Sequence, residues 1–196
     1  VSKGENWIGN FISGAHRTKL SVQSLAREAQ WEQGGFKLSS PAFADGGVLD
    51  PSFSAYEEDA VAPPLEWTAP PPGTMELALI VEDADSAGER ADCHWLVWGL
   101  PGQKGKLLEG ETPPRTGKNA RGNSEWLLPS PSDSDGERRY VFQLFALDLP
   151  LTLMPGATRE QLHQAMDGHV LAVSLLTGRF AAPEEGDSGW DVEDTS

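Results

Sequence analysis

The stretch ALIVEDADSAGERADCHWLVWGLP (78–101) gathers the side chains best suited to chemistry. Asp83 and Asp85 sit two residues apart, just past an apolar run, and His94 opens the next run with Trp95 behind it. A D-x-D pair can ligate a metal, move protons, or accept hydrogen bonds from loop amides and a neighbouring imidazole. A metal would need further ligands, and His94 is the only obvious one nearby. Aspartates at strand ends more commonly cap turns. A lone histidine is more often structural than a ligand. Here, however, an antiparallel neighbour would carry His94 toward Asp83 or Asp85, and a carboxylate there would fix its tautomer.

Nucleophilic catalysis has little support. Cys93 adjoins His94, and adjacent residues of a strand face opposite ways. The serines of GNSEW (122–126) and PSPSDSD (129–135) lie in no strand–turn–helix elbow. GKNARGNS (117–124) lacks the Lys-Ser/Thr ending of a phosphate loop. His16 reads as an exposed residue of the N-terminal segment.

The elements that must position these groups are strands. Four apolar runs, Met75–Val81, His94–Leu100, Tyr140–Leu147 and Val170–Leu176, are nearly continuous, as in strands covered on both faces. In the third, Val141, Gln143 and Phe145 alternate with Phe142, Leu144 and Ala146. FKLSSPAF (36–43) begins the β region, and residues 45–67 are turn-rich and extended. One helix is well signalled. Thr158 and Gln161 form a capping box, Leu162, Ala165 and Met166 supply a buried face, and Gly168 ends it. The span from Pro101 to Pro131 is rich in Gly, Pro and Ser, and a connection this long is usually functional or disordered.

Residues 1–33 form a helical extension before a domain at 34–183. Trp7, Ile8, Phe11 and Ile12 share one helical face. Leu20, Ser24, Leu25 and Ala29 share another, with Ser21 as its start. Such an arm covers its own domain or serves dimerisation or a partner. Residues 184–196 carry only acidic charge and read as a disordered tail, with Trp190 its one hint of docking.

The whole chain has 196 residues, 21 Gly, 15 Pro and a net charge of -15. The Gly and Pro content favours a loop-rich β fold. The acidity argues against nucleic acid and against anionic lipid surfaces. A single cysteine permits no internal disulfide, and no run has the length of a membrane span. VSKGENWIGNFISG has no basic region followed by a long apolar run and does not read as a secretory signal. A cytoplasmic location is expected.

The order of blocks APPLEW (62–67), ALIVEDADSA (78–87), HWLVWGLP (94–101), GNSEW (122–126), RRYVFQLFALD (138–148) and DGHVLA (167–172) resembles the phosphatidylethanolamine-binding protein family. The likeness is strongest to its bacterial YbhB/YbcL, or Raf kinase inhibitor-like, branch, and it covers about residues 36–181. It implies a mainly β (α+β) fold, with a large antiparallel sheet, a smaller second sheet and a few peripheral helices. It also implies a compact pocket for small anions and phosphate-bearing headgroups. The family's D-P-D-A-P looks like residues 83–87, with both carboxylates kept and both prolines lost. Its pocket histidine matches His94, and its H-R-Y matches Arg138, Arg139 and Tyr140, so arginine replaces a histidine. Its proline-rich loop corresponds to residues 128–132, retaining Pro129 and Pro131. An inward Arg138 would strengthen anion binding and remove a titration. An outward one would cost the pocket a donor.

These readings imply a ligand pocket of Asp83, Asp85, His94, Trp95, Tyr140, Arg138, Pro129 and Pro131, with no catalytic residue, metal or cofactor. Asp83 and Asp85 are expected to brace the pocket and orient His94. The expected ligand is a small anion or zwitterion, such as phosphate, a carboxylate or a phosphorylethanolamine-like group. Two alternatives stand beside this: a protein-interaction regulator inhibiting a kinase or protease, and a hydrolase using Asp83 or Asp85 with His94. A homodimer through the N-terminal extension is a further possibility.

Overall fold

In the computed structural model, residues 7–11 and 19–185 are described. Ile12, His16, Trp190 and the tail beyond Glu185 lie outside them. A six-stranded sheet forms the centre, built from β2 (Gly47–Val48), β4 (Glu76–Asp83), β5 (Asp92–Pro101), β7 (Arg115–Gly117), β8 (Arg138–Leu147) and β9 (Val170–Phe180). Its order is β2-β9-β8-β4-β5-β7, with every pairing antiparallel except β2 with β9. A second sheet holds β1 (Leu38–Ser39), β3 (Leu65–Trp67) and β6 (Gly105–Leu107), in the order β1-β3-β6. The expected mainly β fold with two sheets is thus present. The span 101–131 is not a bare loop, since it contributes β6 and β7.

The continuous apolar runs have the expected cause: both faces of the large sheet are covered. Along β4, Leu77, Leu79 and Val81 face the small sheet with Trp67, Phe142 and Leu144. Ala78 and Ile80 face the other way, toward Val141, Phe145, Leu162 and Met166. The helix α2 (Arg159–Met166) starts as its capping box predicts, with the Thr158 side chain accepting from Gln161 N.

The arm closes that second face. Trp7, Ile8, Leu20, Val22, Leu25 and Ala26 are buried in the same core as Ile80 and Phe145. The described arm therefore covers its own domain. It is less helical than the sequence predicts. Among the described residues of the arm, α1 (Ser21–Leu25) and 3-10 turns at Trp7–Asn10 and Glu28–Gln30 form. The chain is extended at Ala26 and Arg27, which carries it on to the bridge between Trp31 and Val173. Tertiary hydrogen bonds set this path where helical periodicity alone would continue the helix.

The start of α1 is held by Glu82, a carboxylate 1% exposed. Its Oε1 accepts from Ser21 N at 2.6 Å and Gln143 Nε2 at 2.8 Å. Its Oε2 accepts from the Ser21 hydroxyl at 2.8 Å and Arg159 Nη1 at 2.7 Å. Gln143 Oε1 takes Val22 N at 2.8 Å. One side chain thus joins the arm, β8 and α2. Removing one member of a buried, fully bonded charge pair leaves the other unsolvated, at a cost of about 3–5 kcal/mol. An exposed pair is worth about 1 kcal/mol or less. Glu82→Ala is therefore expected to lower unfolding free energy by about 3–5 kcal/mol. Arg90→Ala, which breaks the exposed pair with Glu160, should move it by no more than about 1 kcal/mol. Urea denaturation of both variants checks the contrast.

Candidate functional site

The opposite face of the same strand end builds the site. Glu82 turns toward the arm, so Asp83 turns toward the small-sheet side. Antiparallel register sets Asp83 beside Tyr140 of β8 and beside Asp92 of β5. Residues 138 and 140 share a face, which brings Arg138 alongside Asp83, while Arg139 points away.

His94 reaches this face through an irregularity. On β5, Trp95 pairs with Val81 and Cys93 with Glu82, so His94 is an extra residue opposite no partner. Strict alternation would put His94 and Trp95 on opposite faces. The bulge lets both join the side of Tyr140 and Trp126 while Cys93 stays on the arm side. The His94 ring stands edge-on to Tyr140, with centroids 5.0 Å apart, and lies 6.3 Å from Trp126. Trp95 and Trp126 meet edge to face at 5.5 Å.

The carboxylates do not orient His94, contrary to the expectation from sequence. Asp83 Oδ2 lies 2.6 Å from Arg138 Nη1, and its Oδ1 accepts from Asp85 N at 2.9 Å. Asp85 accepts two bonds from the Arg139 fork, Nε to Oδ2 at 2.9 Å and Nη2 to Oδ1 at 2.8 Å. Guanidinium is permanently charged and offers paired donors, so it claims both acids ahead of an imidazole. His94 is held instead by Leu127, whose carbonyl lies 2.7 Å from Nδ1. A carbonyl only accepts, so the proton sits on Nδ1 and Nε2 keeps a lone pair.

Burial sets the protonation states. It pulls His94 below its ordinary value, against the opposing pull of the Leu127 bond and of Asp83. Burial, followed by the charge of Asp83, holds the Tyr140 phenol well above its usual range, so it remains a donor. Desolvation would lower Arg138, but its pairs with Asp83 and Asp135 outweigh that and hold it raised. The ion pair with the buried Asp83 turns the Arg138 guanidinium inward. Its Nε is buried and has no hydrogen-bond partner among the described residues.

The two prolines act at one remove. Both are buried; the Pro129 carbonyl accepts from Ala55 N at 3.0 Å, and the Pro131 carbonyl accepts from the Tyr56 hydroxyl. They fasten the segment that presents the Leu127 carbonyl. Trp126, Leu127 and Asp135 were not foreseen as site residues. Trp126 had a signal, its aromatic ring within the GNSEW block, whereas Leu127 acts through its backbone and gives none. Beside the site runs a groove of about 550 Å³ lined by Trp95, Trp126, Leu127, Leu128, Arg121 and Glu125, among others. Among the described residues, no cluster of three His, Cys, Asp or Glu could hold a metal. Burial pushes the Cys93 thiol up to about 12, leaving it protonated and weakly nucleophilic.

A histidine with a depressed folded value resists protonation that the unfolded chain accepts. Stability therefore falls as pH drops below the ordinary value of 6.5. Burial also depresses His163, so both residues contribute to that slope. His94→Asn, which keeps a donor for Leu127, is expected to make stability between about pH 6.5 and 5 less pH-dependent, a change readable in urea midpoints.

The chain matches the family model described as phosphatidylethanolamine-binding protein over residues 39–181. It is 37% identical over 145 residues to a Mycobacterium tuberculosis protein named "Putative lipoprotein LppC", covering 73% of this chain and 71% of that one. It is 35% identical over 150 residues to a UPF0098 protein of Methanothermobacter thermautotrophicus, covering 73% of this chain and 97% of the relative. A crystal structure described as that of a phosphatidylethanolamine-binding protein homologue, CT736, from Chlamydia trachomatis superposes with a TM-score of 0.71 at 33% identity, covering 76% of this chain and 98% of that one. Escherichia coli YbcL superposes with a TM-score of 0.68 at 20% identity, covering 76% and 99%. With the paired sheets and the end of β4 arranged as above, the chain belongs to the phosphatidylethanolamine-binding protein family.

Proposed function

We propose that the protein binds a small anionic or zwitterionic ligand at the junction of β4, β5 and β8, without transforming it. The observation that carries this reading is the donor and acceptor set on one buried face. Arg138 Nε–H is buried without a partner among the described residues, Tyr140 stays a phenol, and His94 offers a lone pair at Nε2. Two donors and one acceptor suit a partly protonated oxyanion such as hydrogen phosphate. The acceptor would equally take an ammonium of a phosphorylethanolamine-like ligand. The ion pairs of Asp83 with Arg138 and of Asp85 with Arg139 brace this set. Trp95 and Trp126 wall it, and the segment of Pro129 and Pro131 frames it.

A second reading uses the adjoining groove. Its tryptophan floor and the rim charges of Arg121 and Glu125 suit a protein segment, in keeping with a regulator acting on a partner. A hydrolytic role has weaker support, because the one thiol is held protonated and His94 lacks a carboxylate partner. No helix among the described residues is long and apolar enough to cross a membrane. The proposed cytoplasmic setting rests on the lone cysteine. Fractionation of the native cells separates it from the membrane attachment that one relative's name suggests for that relative.

The binding reading is tested by titrating the protein with inorganic phosphate, acetate and phosphorylethanolamine while following the His94 imidazole resonances by NMR. Saturable shifts at His94 are expected with at least one probe, and unchanged resonances at saturating concentrations of all three would refute the pocket. A hydrogen bond to a charged group contributes about 1.5–3 kcal/mol. Tyr140→Phe is therefore expected to weaken phosphate binding about tenfold or more, as read from the same titration.

A further inference from the structure

Residues 132–136 form an acidic turn that the binding reading leaves unexplained. Asp135 ends a 3-10 turn, Asp133–Asp135, and is followed by Gly136 at a φ of 68°. Its Oδ2 accepts from Ser132 N at 2.7 Å and from the Ser132 hydroxyl at 2.9 Å. Its Oδ1 lies 3.0 Å from Arg138 Nη2. The Ser132 amide, and then Arg138, hold its carboxyl down at about 2, so it is charged at any working pH.

Arg139 shows what a filled guanidinium edge looks like. Its Nε and Nη2 lie on one edge, and both bond to the carboxylate of Asp85. On Arg138 the same edge carries no such pair. Nη2 faces Asp135, while Nε is buried and unpartnered among the described residues. The opposite side, Nη1, is fixed by Asp83. An incoming carboxylate or phosphate that pairs with both Nε and Nη2 competes with Asp135 for Nη2. It must also enter a set in which one guanidinium already faces two carboxylates.

We propose that the Nε/Nη2 edge of Arg138 is the seat for paired ligand oxygens, and that Asp135 is a tethered competitor for Nη2. This rests on the binding reading above and adds its ligand geometry and its control. The acceptable ligand presents two coplanar or tetrahedral oxygens, as a carboxylate or a phosphate does. Asp135 suits the role because its side chain is 32% exposed and sits in an exposed turn, so it can leave without disturbing the core. Displacing it costs little, since partly exposed pairs are weak.

The test compares wild type with Asp135→Asn, using inorganic phosphate and acetate as probes. The His94 ring and the Arg138 Nε–H are followed by NMR. Asparagine keeps the shape and removes the competing charge. Affinity for phosphate is expected to rise about fivefold, with the Arg138 Nε–H resonance moving together with His94. Ser132→Ala, which loosens the tether, is expected to shift affinity in the same direction by a smaller factor. Equal or weaker affinity in Asp135→Asn, with His94 still responding, would overturn the competitor and leave the pocket standing. No response at His94 in either protein would overturn both.

Discussion

Two adjacent carboxylates at the end of β4 leave the sheet in opposite directions, and each must find a cation. Strand geometry permits no other arrangement for Glu82 and Asp83. A buried carboxylate without a partner would be too costly to keep. Glu82 meets Arg159, Ser21 and Gln143 and so ties the arm and α2 to one face. Asp83 meets Arg138 and fixes it beside Tyr140 on the other. The packing of the arm and the charge state of the pocket thus share an origin in the two-residue period of one strand.

Much of this was legible in the residues. Continuous apolar runs identified the four long strands because both faces of the sheet are covered. Thr158 and Gln161 marked the start of α2 because a capping box is a local device, complete within four residues. The order of sequence blocks indicated the family, and Asp83, His94, Arg138 and Tyr140 do converge. What sequence left open has a common physical character. The bulge at His94 depends on register between two strands, and no residue type announces it. The anchor of His94 is a backbone carbonyl, which every residue carries. Periodicity overstated the arm's helices because bonds distant in sequence, from Gln30 Nε2 to the Val170 carbonyl and from Glu32 N to the Val173 carbonyl, draw the chain along β9. Asp135 stood in an acidic, serine-rich run that reads as solvated surface.

Arginine at 138, where the family resemblance implies histidine, changes the proposed site in kind. Histidine there would titrate near neutrality, whereas the guanidinium is charged throughout. A fixed cation demands counter-charge, and Asp83 supplies it from inside while Asp135 adds to it from the rim. The remaining titratable group, His94, is kept neutral by burial. The result is a site whose charge is settled by pairing, and whose free hydrogen-bonding capacity is concentrated at one guanidinium N–H, one phenol and one imidazole lone pair.

The central claim is that these three groups converge to hold an oxyanion. A crystal structure of the full chain grown or soaked at high phosphate, at a resolution that shows individual oxygens, addresses it most directly. The account predicts tetrahedral density within hydrogen-bonding distance of Arg138 Nε, the Tyr140 hydroxyl and His94 Nε2, with Asp83 still on Nη1. Arg138 turned out to solvent, with no density between His94 and Tyr140, would contradict it.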